Sequence, residues 1–346
     1  MITLSIVIAT YNSETLLKKV LESLMRQTLD RDMYEILVVD GGSTDQTIKI
    51  AKKSNCRVIN NPKTEPVHAK YLGYLNSHGK FLMYLDHDEV LKSSRSLEKK
   101  LEAFGDKRVK AVIASGYITP SDYGVLNDYI NEFGDPFSMF YYRISKEYKR
   151  FERQLDKILI KVRSNKNFNI YKLQEFNQIP LMELLAGGSV FDKKYVDTII
   201  NKKEVKLHLT HLLLYISKEV PYVALTKNDP IIHYSADKYN KYLKKISWRV
   251  KNNIYFVDSL GRTGFSGRAE LQSRMMRKYL YIPYVMFFAP LLLDTLYLIL
   301  SRKKLGYWIH FPLSVYTATL IVYHYILKSL GNKPYLKNYD DTKIVK

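Results

Sequence analysis

Two acids at the end of an apolar run are the residues of this chain best suited to chemistry. Phe81-Leu82-Met83-Tyr84-Leu85 passes directly into Asp86-His87-Asp88-Glu89. A run that is apolar on both faces reads as a buried strand of a parallel sheet. In an extended chain residues i and i+2 point the same way, so Asp86 and Asp88 would converge on one spot. Carboxylates that close either share a proton or hold a cation. A hard divalent ion such as Mg²⁺ or Mn²⁺ takes oxygen ligands and bridges to phosphate oxygens. The same two acids also make good turn or cap residues, and Asp-x-Asp alone leaves both readings open.

The elements upstream decide what such a pair would serve. Leu4 to Ala9 reads as a first strand ending at Thr10-Tyr11-Asn12-Ser13-Glu14. Leu16, Leu17, Val20, Leu21 and Leu24 then share one helical face, with Asn12 or Ser13 placed to cap it. Glu35 to Val39 is a second strand, ending in Asp40-Gly41-Gly42-Ser43. Ser43 and Gln46 fit a capping box for a helix through Ala51. Arg57-Val58-Ile59 is a weaker third strand, and a helix is expected from about Val67 to Ser77 with Gly79 past its end. Strand and helix thus alternate up to the Phe81 strand, which argues for a parallel sheet with right-handed crossovers. Thr10, Asp40 and Asp86 then finish strands at one edge of that sheet, where open α/β sheets hold ligands. Asp-Gly-Gly is also a good turn, so Asp40 keeps a structural reading beside the functional one.

The segments Ile6-Val7-Ile8-Ala9-Thr10-Tyr11-Asn12-Ser13-Glu14, Val38-Val39-Asp40-Gly41-Gly42-Ser43-Thr44-Asp45, Ala69-Lys70-Tyr71-Leu72-Gly73 and Leu85-Asp86-His87-Asp88 closely resemble family 2 glycosyltransferases of the GT-A fold. The resemblance is dense to about residue 100, then thin until Ala186-Gly187-Gly188-Ser189-Val190-Phe191. It implies an α/β, Rossmann-like, mostly parallel sheet flanked by helices. It implies that Thr10, Tyr11, Asn12, Glu14, Asp40, Gly42, Lys70 and Asp86 form the pocket of a nucleotide-sugar donor. Asp86 and Asp88 would bind the metal, with Asp88 also counted as catalytic. Lys70 would stand beside the diphosphate, and a solvated helix lysine is its plain alternative.

The acceptor side is harder to read. The resemblance implies a carboxylate base downstream of the Gly-Gly segment, yet Lys206-Leu207-His208-Leu209-Thr210-His211 holds no acid. His208 or His211 could take the proton, since imidazole titrates near neutral pH. Alternatively the acceptor is a phosphate that needs no base, or Glu175, Glu183 or Asp192 fills the role. His233, in Ile231-Ile232-His233-Tyr234, is a candidate third metal ligand or a hydrogen-bonded residue at a strand end.

Composition narrows the partners. The formal net charge is +20 and Cys56 is the single cysteine, so disulfides and cysteine-rich zinc sites are excluded and anionic partners are favoured. The phosphate loop Gly-x-x-x-x-Gly-Lys and the dinucleotide fingerprint Gly-x-Gly-x-x-Gly do not occur, which counts against ATPases and dehydrogenases. Asp135 to Tyr142 reads either as an apolar surface patch or as core, and Arg143 to Asn169 as a solvated basic face. From Tyr239 to Lys278 basic residues interleave with aromatics. Because an apolar stretch follows, this segment reads as juxtamembrane rather than as a nucleic-acid surface. Tyr279–Leu300 and Trp308–Leu327 are long enough to approach a bilayer span of ~20 residues. They are expected as two membrane-embedded helices, spanning or dipping into one leaflet, with a soluble core as the alternative. The expected organisation is a GT-A domain over 1–235, a basic segment over 236–278, a helical pair over 279–330 and a basic tail over 331–346. The expected function is metal-assisted transfer of a sugar from a nucleotide-sugar donor to a polyprenyl phosphate or lipid-linked glycan. The catalytic domain would sit at the cytoplasmic face of the cell membrane, with membrane lipid as a partner and nucleic acid not. A nucleotidyltransferase or a non-catalytic nucleotide-sugar binder is the alternative.

Overall fold

The computed structural model describes residues 2–173, 187–202, 212–236, 238–256 and 275–335. His208 and His211 lie outside these residues, as do Glu175 and Glu183. The chain divides into two compact units, Met1–Ile118 with Lys146–Tyr234, and Thr119–Ser145 with Ser235–Lys346. The continuous 1–235 domain expected above is therefore interrupted by residues 119–145.

Twelve strands are present among the described residues of the first unit. They are β1 (Leu4–Thr10), β2 (Tyr34–Asp40), β3 (Arg57–Asn60), β4 (Phe81–Asp86), β5 (Glu89–Leu91), β6 (Ala111–Ile113), β7 (Tyr117–Ile118), β8 (Ile160–Ser164), β9 (Phe168–Lys172), β10 (Ser189–Asp192), β11 (Tyr222–Thr226) and β12 (Ile231–His233). Nine form the central sheet, in the order β3-β2-β1-β4-β10-β6-β11-β9-β8. The β3-β2-β1-β4 half is parallel throughout, as the strand–helix alternation requires. Beyond β4 the sheet becomes mixed: β10 runs antiparallel to both β4 and β6, while β11 is parallel to β6 and antiparallel to β9. Strands β5, β12 and β7 make a separate small sheet.

Register does the positioning. Thr10 pairs with Asp40 and Ala9 with Asp86, so these strand ends share one edge. Every residue of β1 and β2 is buried, which holds that register against slippage. The helix Glu14–Met25 buries Leu17, Val20, Leu21 and Leu24 on the sheet. The helix Pro66–Leu75 is drawn tightly onto β1, because a Cβ on Gly73 would stand 2.2 Å from Val7 Cγ1. It begins and ends earlier than the expected Val67–Ser77.

The second unit is helical. Val125–Phe133, Pro136–Tyr142, Tyr239–Tyr255 and His310–Ser329 pack around Tyr129, Phe133, Met139, Tyr242, Ile246 and Leu313. The 135–142 stretch is thus core packing rather than an exposed patch, with Pro136, Met139, Phe140 and Tyr141 buried. The 143–169 stretch splits between the helix Tyr148–Ile158 and strands of the first unit. The expected C-terminal pair takes an asymmetric form. Leu305–Ser329 is long and apolar enough to cross a membrane, whereas Arg277–Met286 and Ala289–Arg302 are bent by 91° at a break.

Candidate functional site

The two loops that close β1 and β2 are tied to each other. Thr10 Oγ1 donates to Asp40 Oδ1 at 2.9 Å, as does the Ser43 hydroxyl at 2.5 Å. Asp40 Oδ2 accepts the amides of Gly42 and Ser43 at 2.9 and 2.8 Å. Asp40 is buried, so its carboxylate builds the Asp-Gly-Gly-Ser turn. Gly42 has φ +88° within it, a conformation that costs glycine least. Asn12, itself left-handed at φ 46°, accepts the Thr44 amide at 2.9 Å. Glu14 Oε2 accepts the Gln46 amide at 2.9 Å, and the Ser13 amide donates to Thr47 Oγ1 at 2.8 Å. These bonds replace the two caps expected from sequence. Ser13 makes no side-chain cap, and the second helix starts at Thr47 behind Gln46, so Ser43 serves Asp40 instead. Thr10, Asn12, Glu14, Asp40 and Gly42 thus act together as one rigid rim, with Tyr11 half-buried between them.

At the end of β4 the extended-chain expectation fails. A turn at His87 and Asp88 separates β4 from β5, so Asp86 and Asp88 do not repeat along one strand face. Asp86 Oδ1 instead meets Lys70 Nζ at 3.1 Å. Burial alone would push the Lys70 ammonium toward its neutral form. Asp86, Glu89 and Asp88 outweigh that and raise its pKa, so it stays charged. Lys70 is therefore part of the acidic cluster and not a solvated helix lysine. Asp88 Oδ2 lies 3.7 Å from His233 Nε2, and both side chains are mostly buried. This pair exists because β12 runs antiparallel to β5, with His233 opposite Glu89, while the Tyr234 amide bonds to the Asp88 carbonyl at 2.9 Å.

The metal reading is corrected in one respect. No three histidine, cysteine or acidic side chains gather into a metal-holding group among the described residues. Asp86 turns toward Lys70, so Asp86, Asp88 and His233 do not form a ready-made triad. The chemistry of the remaining two donors still fits a divalent cation. An oxygen and an imidazole nitrogen 3.7 Å apart suit an ion that completes its shell with phosphate oxygens and water.

Sequence reasoning missed the residues beneath this surface. Glu89 is 2% exposed. Its Oε1 accepts the Tyr117 hydroxyl at 2.8 Å and its Oε2 accepts the Asp86 amide at 2.9 Å. Tyr117 OH also accepts the Gly187 amide at 2.9 Å, and its ring stacks on His233 with centroids 4.7 Å apart. Gly187 is required by this approach, since a Cβ there would sit 1.6 Å from Glu89 Oε2. Burial, then the charge of Asp86, push the Glu89 carboxyl up to about 7, against the opposing effect of His233. The available signal was an acid following directly on Asp-x-Asp together with a Gly-Gly pair. Nothing in the sequence linked the two.

Residues 5–172 match the family model described as Glycosyl transferase family 2, a stretch just short of half of the 346 residues. The chain is 34% identical over 87 residues to the dolichyl N-acetyl-alpha-D-glucosaminyl phosphate 3-beta-D-2,3-diacetamido-2,3-dideoxy-beta-D-glucuronosyltransferase of Methanococcus voltae, covering 23% of this chain and 27% of that protein. It is 28% identical over 119 residues to the poly(ribitol-phosphate) beta-N-acetylglucosaminyltransferase TarS of Staphylococcus aureus, covering 33% of this chain and 20% of that one. These matches therefore span about a quarter and a fifth of the relatives' lengths. Among solved structures, the mannosyltransferase PcManGT from Pyrobaculum calidifontis, in complex with GDP-Man and Mn²⁺, aligns with a TM-score of 0.51 at 13% identity, over 92% of this chain and 86% of that one. The fold is the mixed α/β GT-A type, with a large central sheet flanked by helices.

Proposed function

We propose that this chain is a family 2 glycosyltransferase that moves a sugar from a nucleoside-diphosphate donor to a lipid-linked or polymeric acceptor at a membrane face. The observation that carries the reading is the grouping at the carboxyl end of β4. Lys70 and Asp86 stand 3.1 Å apart, and Asp88 and His233 3.7 Å apart, beside the rim formed by the β1 and β2 loops. The family match over 5–172 and the named activities of the two relatives support it.

The chemistry follows from charge. Breaking the bond from sugar to phosphate leaves negative charge on the diphosphate, and fixed positive groups at that place lower the barrier. Lys70 supplies one such group, held in place by Asp86. Asp88 and His233 would hold a divalent metal, which offsets charge on the leaving phosphates when bound. The Thr10–Glu14 and Asp40–Thr47 loops would seat the nucleoside. Asp40 acts there through the turn it builds, since four donors already occupy its oxygens. Glu89 and Tyr117 orient the cluster from below. Asp192, weighed above as an acceptor-side base, is bound to Lys110 at 2.8 Å at the far end of β10, which gives it a structural role.

The test is an assay of the purified full chain with a panel of nucleotide sugars, Mn²⁺ or Mg²⁺, and polyprenyl phosphate in detergent or vesicles. Transfer with release of nucleoside diphosphate is the expected result. Release of pyrophosphate would identify a nucleotidyltransferase. No metal-stimulated turnover or hydrolysis with any donor would refute the enzyme reading.

A further inference from the structure

The C-terminal unit carries its polarity inside out. Thr295, His310, Ser314, Thr317 and His324 are buried, while large apolar side chains face outward. Asp294 is turned inward too, held by Arg143 at 2.6 Å and the Tyr284 hydroxyl at 2.8 Å. On Ala289–Arg302 the exposed large apolar residues are Leu292, Leu293, Leu296, Tyr297 and Leu300. Their spacing puts them on one stripe of the helix, opposite buried Leu291, Thr295 and Leu298. The stripe begins at a sharp elbow. Phe288 has φ +53° and Pro290 stands in the first turn of the next helix, so the chain bends by 91° there. At the tip of the elbow Met286, Phe287 and Phe288 are 69%, 77% and 55% exposed. Contiguous exposed apolar surface of this kind marks an interaction site.

The neighbouring helix decides what covers it. Tyr239–Tyr255 packs along His310–Ser329, through Tyr255 OH to the His324 carbonyl at 2.8 Å and Lys328 Nζ to the Ile254 carbonyl at 2.6 Å. That companion bears Lys241, Lys244, Lys245, Arg249 and Lys251. Arg249 is held by Asp135 at 2.9 Å, but the four lysines beside it are incompatible with carrying the helix through hydrocarbon and suit the phosphate layer of an anionic leaflet. Tyr279, Tyr297, Trp308, Tyr323 and Tyr325 are exposed and have the character of residues that settle at a bilayer interface.

We propose that this unit is a one-leaflet membrane foot. The Met286–Phe288 elbow and the Leu292–Leu300 stripe enter the near half of an anionic bilayer, the basic helix lies against its headgroups, and no helix crosses. The proposal rests on the membrane-facing reading given above and replaces its spanning version.

The experiment uses the full chain with Cys56→Ser, added to the outside of sealed vesicles of phosphatidylcholine with or without phosphatidylglycerol. The protein should float with anionic vesicles, less well with neutral ones or in high salt. Phe287→Ser with Phe288→Ser should weaken flotation at least about tenfold while nucleoside-diphosphate binding and the thermal melt are kept. Single cysteines placed by Lys303→Cys and Lys333→Cys should both react with an impermeant maleimide outside the sealed vesicles. Protection of either thiol until detergent is added would place it across the bilayer and overturn the proposal. Failure to bind any vesicle, flotation unchanged by the double serine variant, or self-association through this face in place of lipid binding would overturn it too. Donor binding is read separately, so loss of the foot and loss of the glycosyltransferase reading remain distinguishable.

Discussion

The two ends of the central sheet treat a buried acid in opposite ways. At the amino end Glu35 accepts the Ser5 hydroxyl at 2.7 Å and the His78 amide at 2.6 Å, and it is paired with Arg57. Burial works to raise its pKa, but these donors prevail and lower it. At the carboxyl end Glu89 has two neutral donors, with Asp86 and Asp88 as close neighbours. Its pKa is pushed up to about 7. One acid is fully served by its own protein, whereas the other shares its place with Asp86 and Asp88, and Lys70 and His233 only partly oppose their charge. Crowded, perturbed acids are the mark of a working site, and satisfied ones the mark of architecture.

Substitutions at the two ends should therefore separate activity from stability. Asp88→Asn should have the largest effect, lowering metal-dependent turnover by about 10²–10³-fold. Its thermal melt should stay within about 0.5 kcal/mol of the parent. A comparable loss of stability would make Asp88 structural. Gly187→Ala forces a methyl onto the Glu89 carboxylate and should cost about 1–3 kcal/mol, read by denaturant unfolding. It should lower turnover as well, because Asp86 and Glu89 must shift. Tyr117→Phe removes one bond to Glu89 and one from Gly187, at about 1–3 kcal/mol.

Glu89→Gln sharpens the comparison through pH. Between the ordinary carboxylate value and about 7 the folded protein keeps a proton on Glu89 that the unfolded chain has released. Stability contributed there falls as pH rises through that window. Unfolding in EDTA should show this slope in the parent and a flatter profile in the variant; an unchanged slope would remove Glu89 as its source. Glu35→Gln should do least, costing about 1 kcal/mol with no change in donor binding. Its pH effect has the opposite sign, since a lowered carboxylate pKa contributes stability at neutral pH that is lost on acidification.

The sequence carried the parallel half of the sheet well, and there are physical reasons for that. Apolar runs such as Leu4–Ala9 and Phe81–Leu85 have one reading when bounded by polar strand ends. Their order placed Thr10, Asp40 and Asp86 on one edge, where the register puts them. Local signals misled wherever a long-range bond competed. Ser43 looked like a cap but is claimed by Asp40 and by the Asn12 amide at 2.9 Å. Asp86 and Asp88 looked parallel because a strand was assumed to continue through His87. The site's floor was not legible at all. It joins Glu89, Tyr117, Gly187 and His233 from four distant parts of the chain: the pairing of β5, β12 and β7 gathers three of them, and the antiparallel pairing of β10 with β4 brings in Gly187. The bend at Phe287 and Phe288 was marked in the sequence only by the interruptions at Pro283, Pro290 and Asp294, because hydropathy reports length and not direction.

The central claim is that the carboxyl end of β4 binds a divalent cation together with a nucleoside diphosphate. Its most direct test counts free Mn²⁺ by electron paramagnetic resonance as the ion is titrated into protein with and without the nucleotide. Nucleotide should tighten Mn²⁺ binding to a single site in the parent chain, and the effect should vanish in Asp88→Asn and weaken in His233→Ala. Nucleotide-dependent Mn²⁺ binding that is the same in Asp88→Asn as in the parent would contradict the account.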